Sequence, residues 1–276
     1  MFLLSFALRS LRWRLMLQAA HPVSVPTAFW ATMVGYLGNC YLPARAGELL
    51  RTFQLGRHAR MSRAFILGTV AAERVMDGVV LVLLTGWSLT RLEDFPVWLA
   101  NATLTIGAGL ALFVLGLVAA PQFVRIPGVS SRLERITARY PLALRIAAII
   151  ERFLEGSRTL RSLPVGAGFL ALTPLCWLMD GLAIHMVSQC LNLSLTPEQV
   201  IFIMGALGLA SAAPAMPGHL GVYQFVAVTL MTPMGYTDTQ ALAFIVAYQL
   251  SGYTIVTSTG PIGLWRLGWR RNDRVP

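Results

Sequence analysis

The most informative segment of the chain is GNCYLPARAGELLR, residues 38–51. It places a proline, two glycines and three charged residues at the end of the uncharged, mostly apolar tract 23–42. A second interruption, PAMPGHLG at residues 214–221, lies inside another apolar tract. Irregular backbone at membrane depth is tolerated only where it lines a cavity, and it is typical of proteins that carry polar substrates across a bilayer. The pattern therefore favours a transporter over a simple membrane anchor.

The composition indicates an integral membrane protein. Of the 276 residues, 56% are hydrophobic and 12% are charged, whereas a soluble domain carries about 25% charged residues. The formal net charge is +10, and all 22 basic residues are arginine. We expect these arginines in short loops between apolar tracts on the cytoplasmic side, near anionic lipid headgroups. Nucleic acid is therefore the weaker interpretation of the basic charge.

The charge pattern predicts a single transmembrane domain over residues 1–276. It divides into a first half, 1–120, a cytoplasmic amphipathic linker, 121–162, and a second half, 163–276. Basic loops are assigned to the cytoplasm and short acidic turns to the outside, which predicts a multi-pass protein of the cell membrane with a cytoplasmic C-terminus. The predicted spanning segments are 64–90, 97–120, 163–191 and 239–265.

The linker is predicted to contain an interfacial helix, because apolar and charged residues alternate at helical spacing. The apolar positions are Leu142, Ile146, Ile149, Ile150, Phe153 and Leu160, and the charged positions are Arg145, Arg152, Glu155 and Arg158.

The tract 23–42 does not fit a simple span, because cytoplasmic-type loops flank it on both sides. Either it crosses and leaves the arginine cluster at positions 9–14 outside, or it enters the membrane and returns near Gly35 and Gly38. A helical span needs about 20 residues, so a hairpin within this tract would not reach across.

The tract 199–237 does not fit a simple span either, since it is too long for one span and has acidic turns on both sides. It predicts a re-entrant pair of segments, 200–213 and 218–231, that enters from the outside. The predicted fold class is therefore all-α: a polytopic integral membrane protein with two re-entrant broken helices.

The two interruptions resemble each other, because Pro43-x-x-x-Gly47 matches Pro217-x-x-x-Gly221. One opens toward the cytoplasm and the other toward the outside, which predicts an inverted repeat with a substrate site near the midplane. The predicted helix breaks are Pro43, Gly47, Pro214, Pro217, Gly218 and Gly221.

The first interruption also provides candidate headgroup-binding residues. Gly47 is expected to start a helix with Glu48 in its first turn and Arg51 on the same face. A helix N-terminus attracts anions, and the guanidinium groups of Arg45 and Arg51 suit phosphate. The alternative is a capped helix at the membrane surface with a solvated charge pair. His219, in the second interruption, is a further candidate for headgroup contact and a poor metal ligand.

Charges inside an apolar segment form the candidate pathway. Glu73 and Asp77 share a helix face, and Arg74 lies beside them. Charges at membrane depth normally mark a pathway or a partner, although a structural ion cluster or an interfacial position with the span starting at Gly78 are alternatives. Asp180 lines a cavity or relays protons in this interpretation. The full set of predicted pathway residues is Asn39, Glu73, Arg74, Asp77, Asp180, Gln224 and Gln249.

The sequence contains no enzyme signature such as HExxH, GxSxG or a Walker loop. We therefore expect no catalytic residues, no metal and no cofactor. An intramembrane hydrolase using His219 and Ser211 is conceivable and disfavoured.

The segments 42–51, 73–77 and 217–224 resemble the membrane region of lysylphosphatidylglycerol synthase. This region is the flippase-like domain of multiple peptide resistance factor (MprF), which is also found in stand-alone proteins. The resemblance covers roughly residues 12–264 and implies movement of a lipid with a polar headgroup. Relatives are tied to aminoacylated phosphatidylglycerol, and others to hopanoid or polyprenyl-linked sugar lipids. Synthesis is not implied, because the aminoacyl transferase domain is absent from this sequence.

The sequence departs from the family pattern at two polar positions. The pattern usually has a glutamate near Gln224 and an arginine near Gln249, and both are glutamine here. The family also usually begins with a further apolar segment, so we expect either a shortened start or one that lies earlier.

The predicted function is transbilayer movement of a lipid with a polar or anionic headgroup, such as a modified phospholipid or a polyprenyl-linked lipid. The alternative is a non-transporting accessory subunit of a lipid- or glycan-modifying enzyme. Membrane lipids are the expected partners, a lipid-modifying enzyme and a second copy of the chain are open candidates, and nucleic acid is not expected.

Overall fold

The computed structural model describes residues 1–18, 20–92, 141–211 and 216–269, together with positions 101, 105 and 109. Regular structure in these ranges is helical, and none of it is strand. The helices are α1 (Phe2–Gln18), α2 (Val25–Tyr41), α3 (Gly47–His58), α4 (Arg63–Leu89), α5 (Pro141–Arg158), α6 (Leu163–Cys190), α7 (Pro197–Ala210), α8 (Val222–Met231) and α9 (Asp238–Trp269). Short 3-10 turns cover Pro43–Arg45, Thr159–Arg161 and Pro217–His219.

Three of the predicted spanning segments are continuous helices. The segments 64–90, 163–191 and 239–265 correspond to α4, α6 and α9. Helix α6, with 28 residues, and the 31-residue part Asp238–Gly268 of α9 are long and apolar enough to cross a bilayer, which requires about 20 residues. The predicted segment 97–120 lies outside the described residues.

Helix α1 corrects the expectation that the arginines at positions 9–14 form a loop. The segment Phe2–Gln18 contains no glycine or proline, and it forms one unbroken helix. Arg9 and Arg12 lie on it and are buried. Their charge does not force the segment into a loop, because carboxylates of other helices neutralise it.

Helices α2 and α3 form the first broken pair. Helix α2 is continuous through Gly35 and Gly38, so the alternative in which the chain returns near these glycines is wrong, and the chain turns at residues 42–46 instead. Helix α3 starts at Gly47 with Glu48 in its first turn, as predicted. The two helices pack closely, since a Cβ atom on Gly38 would lie 2.4 Å from the Cα atom of Gly47.

Helices α7 and α8 form the second broken pair, close to the predicted segments 200–213 and 218–231. Helix α7 ends at Ala210 and α8 begins at Val222 after the turn Pro217–His219. A capping box of Thr196 and Gln199 fixes the start of α7. The predicted break at Pro214 lies outside the described residues.

The backbones of the two breaks match at the first two residues after each proline. The two residues after Pro43 have φ angles of 52° and 56°, and the two residues after Pro217 have φ angles of 67° and 59°. This left-handed conformation costs a residue with a side chain about 1–2 kcal/mol. Gly218 occupies it without that cost, whereas Ala44 does not. The motif match predicted from sequence therefore extends to backbone conformation at these two residues. It ends there, because Ala46 has ψ −11° and Leu220 has ψ 139°, and Gly221 has φ 83° where Gly47 already begins α3.

The helices that follow the breaks pack reciprocally. Helix α4, which follows the first pair, packs against α7 of the second pair, and α9 packs against α2 of the first. Glycines permit both contacts: a Cβ atom on Gly208 would lie 2.6 Å from the side chain of Leu81, and one on Gly260 would lie 2.7 Å from that of Leu37. Helices α1 and α6, which precede the two pairs, pack against each other.

Helix α5 represents the predicted amphipathic linker helix. It crosses α4 at short range, because Gly156 approaches the carbonyl oxygen of Phe65 and Gly68 approaches that of Phe153. Ile149 and Ile150 are exposed on its surface. The side chains of Leu142 and Arg145 and the residues 121–140 lie outside the described part of the chain.

Candidate functional site

A cavity of about 300 Å³ lies between the two breaks. Both breaks contribute to its wall, together with α1, α4, α6 and α9. The first pair contributes Tyr36, Asn39, Cys40 and Arg45, and the second contributes Ser211, Gly218, His219 and Tyr223. The breaks therefore place polar side chains and backbone around a common space.

The carbonyl oxygen of Ser211 joins the two breaks. Arg45 Nη1 donates a hydrogen bond to it at 3.1 Å, and His219 Nε2 lies 3.3 Å from it. Ser211 caps the C-terminus of α7, where the helix leaves partly negative carbonyl oxygens without partners. The His219 ring stacks on Tyr223 at a centroid distance of 4.9 Å. Two predicted headgroup residues are thus brought together from opposite halves.

Nine charged side chains form one connected cluster beside the cavity, which we term the arginine–carboxylate network. Ion pairs of 4.0 Å or less link all of its members, which come from helices α1, α3, α4 and α6 and from the first break. The members are Arg9, Arg12, Arg45, Arg51, Arg74, Glu48, Glu73, Asp77 and Asp180.

Arg12 lies at the centre of the network and is 0% exposed. Its guanidinium contacts Glu73 Oε1 at 3.1 Å and Asp77 Oδ1 at 2.8 Å. It also donates a hydrogen bond to Thr173 Oγ1 at 3.2 Å, and it stacks over the ring of Phe169. One arginine therefore ties α1 to α4 and α6, and its charge is compensated by the two carboxylates that share a face of α4.

Asp180 is held by α1. Arg9 Nη2 and Ser5 Oγ both donate hydrogen bonds to its carboxylate. Arg9 also lies 3.6 Å from Asp77 and stacks on the ring of Trp177. Asp180 therefore lines the cavity as part of an ion pair rather than as an isolated acid.

Arg51 is more deeply buried than a headgroup-binding residue needs to be. It is 4% exposed, contacts Glu73 Oε2 at 3.0 Å and stacks over the ring of Trp13. Helix α1 covers it, so it supports the network from beneath. Glu48 likewise stands outside the cavity wall, where its Oε1 lies 3.2 Å from Arg45 and 3.2 Å from Arg74.

The predicted pathway residues divide in the same way. Those that line the cavity are Asn39, Arg74, Asp77, Asp180 and Gln249, and those that stand behind its wall are Glu73 and Gln224. Gln224 Nε2 donates to Gln249 Oε1 at 2.6 Å, and Gln249 Nε2 donates to the carbonyl oxygen of Gly218 at 3.0 Å. This amide pair joins α8 to α9 as the Glu48–Arg74 ion pair joins α3 to α4.

Sequence reasoning missed the contributions of α1 and of Trp177. Arg9 and Arg12 are three residues apart on an apolar helix, and this spacing is the local signal that both face one side. Their partners lie 61 to 171 residues away in sequence. As for metals, the described residues contain no group of three His, Cys, Asp or Glu side chains arranged to hold an ion.

These features define a helical protein with a charged cavity between two broken helix pairs and helices long enough to cross a membrane. Residues 1–260 match the family described as the lysylphosphatidylglycerol synthase TM region. The chain belongs to this family of membrane proteins, so the resemblance seen in the sequence is confirmed.

Three curated relatives extend this result. A UPF0104 membrane protein of Methanocaldococcus jannaschii is 25% identical over 81% of this chain and 91% of its own length. A second UPF0104 membrane protein, from Methanothermobacter thermautotrophicus, is 23% identical over 92% of this chain and 79% of its own length. Glycosyltransferase AglD of Haloferax volcanii is 23% identical over 95% of this chain, which spans only 47% of that relative. No solved structure matches the chain.

Proposed function

We propose that the protein moves a lipid with a polar or anionic headgroup between the leaflets of the cell membrane. The observation that carries this proposal is the shared cavity, which both breaks open and which the arginine–carboxylate network borders. Charged groups inside an apolar protein are expensive and mark a substrate path by default. Family membership supports a lipid-related role.

In this proposal the chain is a multi-pass protein with its C-terminus in the cytoplasm. The broken pairs α2–α3 and α7–α8 are re-entrant elements related by an inverted repeat. Two features support the repeat: the matching left-handed residues after Pro43 and Pro217, and the reciprocal packing of α4 on α7 and α9 on α2. Sites at repeat interfaces are typical of transporters with this symmetry.

The mechanism that we propose moves only the headgroup through the protein. Acyl chains remain in the lipid phase, which lowers the free energy needed to desolvate polar groups. Arg45 and His219 contact the headgroup, and Glu48 and Arg51 hold the surrounding charges in place. The chain supplies no catalytic residue and uses no cofactor in this mechanism. Besides lipids, a second copy of the chain and a lipid-modifying enzyme are candidate partners.

Reconstitution tests the transport proposal. Purified protein in liposomes with fluorescent headgroup-labelled lipids is expected to expose inner-leaflet label to a membrane-impermeant quencher. Arg45→Ala is expected to slow this exposure at least tenfold. Arg161→Ala is the matched control, because Arg161 is exposed and lies outside the network. Liposomes that show no lipid movement above protein-free vesicles would contradict the proposal.

The relationship to AglD favours one second candidate, a non-transporting accessory of a glycan- or lipid-modifying enzyme. Nearly the whole chain aligns with about half of a protein named as a glycosyltransferase. The accessory role predicts that purified protein moves no lipid while deletion of its gene removes a modified lipid from extracts. Lipid movement by the purified protein alone would exclude this candidate as the full explanation.

A further inference from the structure

We infer that the cavity between the breaks binds a single monoanion of the phosphodiester class. This inference deepens the proposed function by naming the charge of the headgroup, and it rests on that function only in treating the ligand as cargo. The network has a surplus of charge, and two residues of the cavity wall, Arg45 and Trp177, each have a buried donor nitrogen without a hydrogen-bond partner in the described residues.

The network carries one more positive than negative charge. Five arginines, at positions 9, 12, 45, 51 and 74, face four carboxylates, at positions 48, 73, 77 and 180. Arginine stays protonated in proteins, and each carboxylate is paired with at least one arginine, so all nine are counted as charged. One positive charge therefore remains uncompensated by the described residues, in surroundings where an unpaired charge is costly.

Arg45 is the network arginine that both lines the cavity and has a single carboxylate partner. Its carboxylate partner is Glu48, and the same Glu48 oxygen also lies 3.2 Å from Arg74. Its other contact is the neutral carbonyl oxygen of Ser211. Arg45 Nε is buried and has no hydrogen-bond partner within the described residues. Arg45 lines the cavity, so an anion placed there would meet this charge directly.

Trp177 supplies the second donor. Trp177 is 8% exposed, and its Nε1 is buried without a hydrogen-bond partner in the part of the chain that the structure describes. Trp177 lines the same cavity from α6, beneath the guanidinium of Arg9. An indole nitrogen is a donor only, so a ligand that supplies an acceptor to it would satisfy it. A phosphodiester has several acceptor oxygens and one negative charge.

The charge balance also ranks other ligands. A zwitterionic headgroup leaves the positive charge uncompensated overall, and a phosphate monoester with two negative charges reverses its sign. A monoanion is the ligand that brings network and ligand together to zero charge. Two sources share this chemistry, a lipid phosphodiester and a free anion, and the experiment separates them.

The test measures binding to the full chain in neutral detergent by calorimetry at fixed ionic strength. The probes are dihexanoyl phosphatidylglycerol, dihexanoyl phosphatidylcholine, dihexanoyl phosphatidic acid at pH 8.5 and dimethyl phosphate. We expect the phosphatidylglycerol to bind at least tenfold more tightly than the zwitterionic and dianionic lipids. Dimethyl phosphate at equal affinity supports the monoanion and identifies a free anion as sufficient, whereas weaker binding identifies the lipid as its source.

Variants test whether the surplus charge is the cause. Arg45→Gln removes it, and the preference for the monoanion is expected to fall below twofold. Glu48→Gln raises the surplus to two, and the dianionic phosphatidic acid should become the preferred ligand. Arg161→Gln, the exposed control, should bind as the native protein does.

Equal binding of all three lipids by the native protein, or a preserved monoanion preference in Arg45→Gln, would overturn the inference. Its failure is distinct from failure of the proposed function. Lipid movement without charge preference removes only the inference, whereas selective binding without lipid movement removes the transport role.

Discussion

The two breaks share a pair of left-handed residues and differ in chemistry. After each proline, two residues adopt the left-handed conformation and a short helix follows. Around the first break lie Arg45, Glu48 and Arg74, which are charged and paired. Around the second lie His219 and an amide pair. The proline and the left-handed residues after it set the geometry of each opening, whereas the flanking helices set its charge. The two properties are therefore specified independently.

The difference extends through the molecule. Carboxylates of α4 in the first half are neutralised by arginines of α1, whereas the described part of α9 has Gln249 facing the second break. The charged network therefore belongs mainly to the first half, and the second half contributes Asp180 and otherwise neutral donors and acceptors to the cavity. Four sets of substitutions test this asymmetry.

Loss of Arg12 is expected to have the largest effect, because Glu73 and Asp77 would remain buried with one fewer cation. Arg12→Met should lower the free energy of unfolding by about 3–5 kcal/mol. Chemical unfolding in mixed micelles measures this change. The second-half comparison is Gln249→Met, and an equal loss in both variants would refute the asymmetry.

Converting the amide pair to an ion pair tests whether the second half can hold charges as the first half does. Gln249→Arg alone should destabilise the protein by about 3 kcal/mol, because it introduces an unpaired charge at a buried position, and Gln224→Glu alone should cost less, because Gln224 is half-buried. The double variant should recover part of this loss, with a coupling energy of about 1–2 kcal/mol. A double-mutant cycle measures the coupling, and strictly additive losses would show that α8 and α9 do not correspond to α3 and α4.

Exchanging the residues after the two prolines tests the backbone match. Gly218→Ala should cost about 2 kcal/mol, because it forces a left-handed φ on alanine and places a Cβ atom near the hydroxyl of Tyr253. Ala44→Gly should change stability by less than about 0.5 kcal/mol, since relief of the same strain offsets the added freedom of the unfolded chain. Thermal unfolding of both variants reports the difference. If both variants lost the same free energy of unfolding, the two turns would not have equivalent backbones.

Removal of one amide should have the smallest effect. Gln224→Ala is expected to cost about 1 kcal/mol, because Gln249 keeps its hydrogen bonds to Gly218 and Tyr253. The same unfolding assay measures this loss. A cost as large as that of Arg12→Met would show that the second half depends on its polar pair as strongly as the first.

The breaks could be predicted from the sequence because proline and glycine determine local backbone directly. Pro43 with Gly47 and Pro217 with Gly218 mark both interruptions, and both interruptions are present. The shared cavity followed from treating them as a repeat. The network did not follow, because a cluster of three arginines near a chain start has the local appearance of a basic loop. Nothing local links Arg12 to Glu73, and Arg51 is predicted to bind a headgroup because the sequence does not reveal the helix that covers it.

Helix α1 supplies two of the five arginines of the network, Arg9 and Arg12. Without Arg9 and Arg12, the network would keep all four of its acids and only three of its arginines. Its net charge would then change from positive to negative. Two side chains on one helix therefore determine the sign of the charge beside the cavity.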